Sequence, residues 1–465
     1  MPKSVFIETL GCQMNVLDSE LVAASLVQAG YELVDSPRKA DTILFNTCSV
    51  RQHAEDKVYS ALGRLKHIKE RFPHKIIGVL GCMAQKDREL VFRRAPHVDL
   101  VVGPGQLGQL PRLLEQIAAG EGPKLEVSLD RKGASRPLVE RSFAHFDPAG
   151  GVRPRTVRRQ AMVRIMFGCD KFCTYCIVPS VRGPEQNRPA AEIEAEVRRL
   201  ADEGCLEVTL LGQTVNSYRD AEGGRTIRLS DLLERLSAIE GIRRLRFVTN
   251  YPRHMTDDLL QAVRDLPKVC PYLHVPAQSG SNRILRRMKR GYTAEFYREM
   301  LQRVREMIPA ATVTSDFIVG FCGETEEDFQ QTVDLVREGR FKNSFIFKYS
   351  PRPGTFSAQR YADDVPEQVK RRRNRELLAI QNAISAEENA PLLGRTVEVL
   401  VEGPSKASRK PARAGERNQL TGRTVCDRIV VFDGDERLIG RILPVHITQT
   451  SAFTLFGSVV DEPKP

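Results

Sequence analysis

GCDKFCTYC (168–176), directly after the apolar run AMVRIMF (161–167), decides how this chain is read. Cys169, Cys173 and Cys176 stand in a C-x3-C-x2-C spacing. Cysteine thiolates are ligands for zinc and for iron–sulfur clusters. A closed structural site takes four ligands, and no histidine lies nearby to supply a fourth. A cubane cluster held by three thiolates leaves one iron open, as catalytic metal sites leave a position for a small molecule. Phe172 and Tyr175, between the ligands, are expected to pack over the site and keep water out.

Working outward, five more β-branched or aromatic runs follow AMVRIMF: LEVTLLG, RRLRFVT, YLHVPAQ, TVTSDFIVGF and SFIFKYS. Helical patterns such as PAAEIEAEVRRLADEG and TAEFYREMLQRVREMI separate them. Six strands with helical crossovers predict a barrel or part-barrel, closed by a long charged helix at about 366–388.

Upstream, SVFIETL, DTILFNT, HKIIGVL and HVDLVV alternate with helical patterns, which predicts a parallel sheet. Cys12, Cys48 and Cys82 each stand just past one of these strands and before a helix. The carboxyl ends of parallel strands share one edge, where α/β folds place ligands, so the three thiols are expected to converge. Thiolates beside helix N-termini suit a second, anionic cluster with one open iron. Gln13 and Asn15, beside Cys12, are read either as facing that iron or, for Asn15, as a helix cap. Cys205, Cys270, Cys322 and Cys426 show no such placement and are read as packing residues.

Downstream of Gly394, RTVEVLVEG, RTVCDRIVVFDG, RLIGRILPVHITQT and SAFTLFGSVV alternate apolar and polar residues with turn signals between. That predicts a small antiparallel β-barrel of OB-like size. The fold class is therefore α/β: a parallel α/β domain (1–120), a linker (121–158), a (β/α)6-type partial barrel (159–390) and the β-barrel (391–460).

The 41% hydrophobic and 28% charged residues are those of a soluble globular chain. No apolar run reaches the roughly 20 residues of a membrane span, and MPKSVFIETL has no leader pattern, so a cytoplasmic protein is expected. In a reducing compartment the ten cysteines are not a disulfide framework. The net charge of +11 is clustered at Arg153–Arg159, at Arg371, Arg372, Arg373 and Arg375, and in the tail from Lys406 to Arg428. Three basic patches point to a phosphate-backbone partner. Phe453 and Phe456 of the tail can stack on RNA, though at strand spacing the core is the default.

The wording around these cysteines resembles the radical S-adenosylmethionine (SAM) methylthiotransferase family. The stretches are ETLGCQMN (8–15), NTCSVR (46–51), GCMAQ (81–85), GCDKFCTYCIVPSVRG (168–183), LLGQTVNSY (210–218), HVPAQSGS (274–281), SDFIVGFCGET (315–325) and YSPRPGT (349–355). The C-terminal module resembles the TRAM domain, an RNA-binding barrel. Cys322 departs from the family's wording, where proline is expected.

The resemblance implies two [4Fe-4S] clusters, on Cys169, Cys173 and Cys176 and on Cys12, Cys48 and Cys82. SAM would be both methyl donor and radical source. Gly212, Gln213, Asn216, Gln278, Ser279 and Asp316, at strand ends, are then expected to contact SAM, against loop or cap hydrogen bonds as the plain alternative. The implied substrate is an isopentenylated adenosine 3′ of the anticodon, taken up as a tRNA anticodon stem-loop. A reductant such as flavodoxin or ferredoxin and a sulfur donor system are the further expected partners of a monomer with no membrane contact. Relatives acting on threonylcarbamoylated tRNA adenosine or on a ribosomal-protein aspartate, and a non-catalytic RNA-binding iron–sulfur protein, stay open at this point.

Overall fold

The structure is a computed structural model that describes residues 3–49, 52–127, 159–408 and 418–460, without the side chains of 52–54. Its first sheet has the order β2-β1-β3-β4-β5-β6, all parallel. The strands are β1 (Ser4–Leu10), β2 (Glu32–Leu33), β3 (Thr42–Thr47), β4 (Ile76–Gly81), β5 (Leu100–Val102) and β6 (Lys124–Glu126). Helices α1 (Gln13–Gln28), α2 (Gln52–Arg71) and α3 (Cys82–Asp87) follow β1, β3 and β4. β3 and β4 are buried at every position, as central parallel strands covered on both faces must be. β6 takes three residues from the stretch expected to be a linker, because its backbone completes the edge beside β5. Residues 128–158 of it, with Arg153, Arg155 and Arg158, lie outside the described residues.

The central unit holds β7 (Gln160–Arg164), β8 (Met166–Phe167), β9 (Gln186–Asn187), β10 (Glu207–Leu211), β11 (Arg219–Glu222), β12 (Arg225–Arg228), β13 (Arg244–Phe247), β14 (Tyr272–His274), β15 (Thr312–Val319) and β16 (Asn343–Lys348). Between the parallel ladders β13-β10-β7 and β14-β15-β16, Leu245 of β13 bridges to Val269, three residues before β14, and Asn250 N donates to His274 O at 3.1 Å. Among the described residues β7 and β16 do not pair, so the barrel is open on that side. The core under α1 runs on to Leu211, with Met162 and Val248 against it, which packs the first domain onto the barrel.

β17 (Thr396–Pro404), β18 (Gln419–Thr424), β19 (Ile429–Asp433), β20 (Ile442–Thr450) and β21 (Thr454–Val459) form a closed barrel. RTVCDRIVVFDG is divided between the end of β18 and β19, joined by a turn at residues 425–428 with Asp427 at φ 61°. The β19–β21 pair is parallel and the rest antiparallel. Phe453 is exposed and Phe456 half-buried, and neither joins the module's core of Val399, Val401, Leu420, Val430 and Phe432.

That turn is the floor of the central barrel. Arg244 Nη1 donates to Arg423 O at 2.9 Å, Arg246 Nη2 to Thr424 O at 2.7 Å, and Thr312 Oγ1 to Cys426 O at 3.1 Å. Lys342 Nζ lies 3.3 Å from Asp427 Oδ2. Several tail cations expected to face RNA are thereby committed to protein. Arg423 pairs with Glu402 and Asp427, and Arg428 Nε donates to Asn389 Oδ1 at 2.9 Å. The cluster at 371–375 is corrected in part. Arg373 is buried on Glu324 at 2.8 Å and Arg372 pairs with Glu326, which ties the closing helix Glu367–Asn389 down, while Arg371 pairs with Glu367 on the helix itself and stays exposed.

Candidate metal centres

The first triad is set by strand register. Leu10 pairs with Thr47, and Thr47 pairs with Gly81. Cys48 and Cys82 are the next residues after two paired positions, and Cys12 follows Leu10 by two. The ladder therefore delivers all three thiols to one sheet edge. Gly81 has φ +85°, and a Cβ there would stand 2.2 Å from Asn46 Oδ1, so only glycine lets the chain turn into α3. Cys48 and Cys82 are buried, whereas Cys12 is exposed. Asn15 does act at the helix start: its Oδ1 accepts from Cys12 N at 3.4 Å and Cys12 Sγ at 3.2 Å. Its Nδ2 donates to Asn46 Oδ1 at 3.2 Å, so the buried amide links two of the three loops. Gln13 is exposed beside Cys12.

The second triad lies in the loop after β8. Gly168 has φ +77°, and a Cβ would meet Pro184 O at 1.9 Å, so the loop turns only through glycine. Thr174 N donates to Met288 O at 3.0 Å and Thr174 Oγ1 to Arg287 O at 2.9 Å, fixing the loop to residues 287–288. Cys169 Sγ is 3.4 Å from Thr214 Oγ1. Buried Arg290 donates from Nη1 to Cys173 Sγ at 3.3 Å, from Nε to Tyr292 Oη at 2.9 Å and from Nη2 to Pro276 O at 3.0 Å. Tyr175 packs inward, edge-on to Phe321 at 6.4 Å. Phe172 does not cover the site as expected: it is 49% exposed, with Lys289 Nζ 5.6 Å from its ring.

Electrostatics separate the triads. The Cys12 thiol is lowered to about 6, first by a hydrogen bond with Cys48 and then by the Arg182 guanidinium. Burial pushes Cys82 up. Burial also raises Cys169, and burial followed by the neighbouring Cys173 pushes Cys176 to about 12. Such thiols would not ionise unaided, but coordination to a metal deprotonates them outright. Among the described residues no group of three or more His, Cys, Asp and Glu side chains is arranged to hold a single metal ion. The donor sets fit a larger group, because cluster thiolates spread round iron and sulfide instead of meeting at one ion.

A cavity of about 830 Å³ runs from Cys12 and Gln13 through the barrel to Arg423 and Asp427 on its floor. Phe345 and Phe347 of the edge strand β16 line it, stacked at 6.5 Å and 13°. His274 Nε2 stands 3.5 Å from Asp316 Oδ1, a buried atom without a hydrogen-bond partner.

Of the residues expected to contact SAM, Asp316 lines this cavity and the other five are not among its lining residues. Asn216 is committed to backbone, its Nδ2 donating to Tyr251 O at 2.9 Å and its Oδ1 accepting from Tyr251 N at 2.8 Å. Ser279 Oγ accepts from Ser281 N at 3.1 Å. Gln278, at φ 73°, bridges by backbone to Asp316 O and Ile318 N. Gly212 O accepts from Thr249 Oγ1 at 2.7 Å. Gln213 Oε1 is buried without a partner, and Asp316 faces the cavity. Sequence reasoning missed Arg290, Thr214, Arg182 and Asp18. For Asp18 the signal was present: a carboxylate four residues from both Met14 and Val22, on the apolar face of α1.

Three families match consecutive parts of the chain: Uncharacterized protein family UPF0004 over residues 4–103, the radical SAM superfamily over 163–336 and the TRAM domain over 392–460. A tRNA-2-methylthio-N(6)-dimethylallyladenosine synthase of Rhodopirellula baltica is 57% identical over 459 residues, covering 99% of this chain and 96% of that protein. The chain belongs to the tRNA-2-methylthio-N(6)-dimethylallyladenosine synthase family. Another synthase of this family, from Delftia acidovorans, is 47% identical over 464 residues, covering 99% of each chain. The radical S-adenosylmethionine methyltransferase TsrM of Kitasatospora setae, solved with cobalamin and a [4Fe-4S] cluster, shares the fold: TM-score 0.56 at 15% identity, over 77% of this chain and 74% of that one. Among the described residues of this synthase-family chain, no helix is long and apolar enough to cross a membrane.

Proposed function

We propose that the chain transfers a methylthio group to C2 of N6-dimethylallyladenosine at position 37 of tRNA, beside the anticodon. One [4Fe-4S] cluster would sit on Cys169, Cys173 and Cys176, and a second, the sulfur carrier, on Cys12, Cys48 and Cys82. The observation that carries this reading is Cys82 of one triad packed against Ile177 and Val181, just past Cys176 of the other, with Cys12 opening on the cavity. Reductive cleavage of SAM at a cluster of the first kind supplies a 5′-deoxyadenosyl radical, which an aromatic C–H without an acidic proton requires.

The protein's own residues bind, orient and exclude water. Arg290 holds Cys173 by a charge-assisted N–H, and Tyr175 with Phe321 closes the inner side of that loop. Cys12 is the accessible member of the other triad, on the side from which a base would approach. The base has to leave its stack to enter. Phe345 and Phe347 offer an apolar platform to its ring and prenyl group, and Asp316 Oδ1 an acceptor for its N6–H. The TRAM module would hold the stem-loop with the barrel. A low-potential flavodoxin or ferredoxin and a sulfur donor system complete the expected partners.

Anaerobically reconstituted, reduced protein given SAM and a prenylated anticodon stem-loop is expected to yield 5′-deoxyadenosine and the 2-methylthio nucleoside together. Absence of 5′-deoxyadenosine would remove the radical step, and 5′-deoxyadenosine without methylthiolation would remove the substrate.

A further inference from the structure

Helix Val178–Val181 follows Cys176 of the radical loop, and with α3 it makes the contact between the two triads: Ile177 and Val181 bury Cys82. The next residue, Arg182, is 3% exposed. Its Nη2 donates to Asp18 Oδ2 at 2.6 Å, across the domain boundary. Asp18, wholly buried on the helix that begins after Cys12, also takes the guanidinium of Arg164. Both guanidiniums lie over the ring of Phe167, at 5.4 Å for Arg164 and 5.3 Å for Arg182, two residues before Cys169.

Two guanidiniums against one carboxylate leave a net positive charge buried here. A buried charge without a counterion is costly, so an anion belongs beside it. Arg182 Nη1 is buried and has no hydrogen-bond partner. Arg182 directly follows Val181, which packs on Cys82, and its anchor Asp18 lies on the helix that begins after Cys12. Burial opposes the charge of Arg182, and Asp18, Cys82 and Cys12 outweigh that opposition.

We propose that Arg182 is a positioning residue for the auxiliary centre: anchored by Asp18, it donates from Nη1 to sulfur bound at the Cys12–Cys48–Cys82 triad and sets that centre's reduction potential. The radical module thus supplies the cation that the sulfur-carrying site needs. This holds only if that triad binds a cluster, the reading given above. Hydrogen bonds and charge at the sulfurs are the levers by which a protein tunes such a centre.

The test uses the full chain with Cys169, Cys173 and Cys176 all changed to Ala, so that only the auxiliary cluster is reconstituted. Its midpoint potential is read by spectroscopic redox titration. R182Q is expected to make the midpoint more negative by at least a tenfold change in the one-electron equilibrium, about 59 mV. R182K, which keeps the charge, is expected to shift it less, and D18N, which removes the carboxylate, to shift it the other way. A merely structural Arg182 would not give opposite signs. A cluster that forms in R182Q with the parent's midpoint overturns the proposal. If R182Q does not fold, an unmoved midpoint in D18N overturns it instead. Absence of any iron–sulfur chromophore in the parent would count against the two-cluster reading and not against Arg182.

Discussion

The two thiol triads are built by opposite means. Cys169, Cys173 and Cys176 lie within eight residues on one loop, fixed to its own barrel by Thr174 and Arg290. Cys12, Cys48 and Cys82 come from three separate loops and meet only because β1, β3 and β4 are in register. In the local triad Cys169 and Cys173 are buried and Cys176 is half-buried, its thiol pushed to about 12. The assembled triad keeps Cys12 exposed to the cavity and lowered to about 6. A centre that only passes an electron to a bound small molecule gains from a dry, rigid loop. A centre that must hand over an atom needs one face open to the acceptor, and the second triad has it.

Substitution separates the two most sharply. Cys173→Ala and Cys48→Ala are each expected to abolish the methylthiolated product. Only Cys173→Ala is expected to abolish 5′-deoxyadenosine as well, measured by chromatography of reduced protein with SAM. Equal loss of 5′-deoxyadenosine in both would erase the division of labour.

The next effect concerns ionisation. In metal-free protein at pH 7, Cys12 is mostly thiolate and Cys176 is not. The difference in thiolate fraction is roughly five orders of magnitude, at one decade per pKa unit. Because the thiolate is the nucleophile, iodoacetamide labelling followed by peptide mass spectrometry should mark Cys12 first. Its rate should fall about tenfold per unit as pH drops below 6, where the thiol regains its proton. Labelling of Cys176 at the same rate would contradict the contrast.

The smallest expected effect comes from Arg290, which touches only the loop triad. Arg290→Gln removes a charged donor from Cys173 and should slow SAM cleavage by roughly 10- to 100-fold, the usual cost of an outer-shell partner. The auxiliary cluster's spectrum should not change. A matching change there would mean that the two centres share this support.

Much of this was legible in the sequence, for physical reasons. The six barrel strands and β1, β3, β4 and β5 are runs of β-branched and apolar residues, a signal that burial on both faces imposes. The strand–Cys–helix repetition located the assembled triad because parallel topology leaves its ligands nowhere else to go. What escaped has no local pattern. β2 and β6 are two- and three-residue edge strands made by neighbouring backbone, and the hairpin β11–β12 is polar throughout apart from Ala221 and Ile227. Asn216 and Ser279, expected at a ligand, hydrogen-bond to backbone in the structure, contacts that no window of sequence reveals. Arg372 and Arg373 looked like part of a surface patch, and only tertiary packing brings Glu324 and Glu326 to them. Arg182 and Asp18 are 164 residues apart, so no window of sequence could pair them.

The most direct test of the whole account is the nucleoside content of tRNA from a strain lacking this gene, read by mass spectrometry. The account predicts that 2-methylthio-N6-dimethylallyladenosine is lost and its unthiolated precursor accumulates. The wild-type chain should restore it, and neither Cys173→Ala nor Cys48→Ala should. An unchanged level of the 2-methylthio nucleoside in the deletion strain would contradict it.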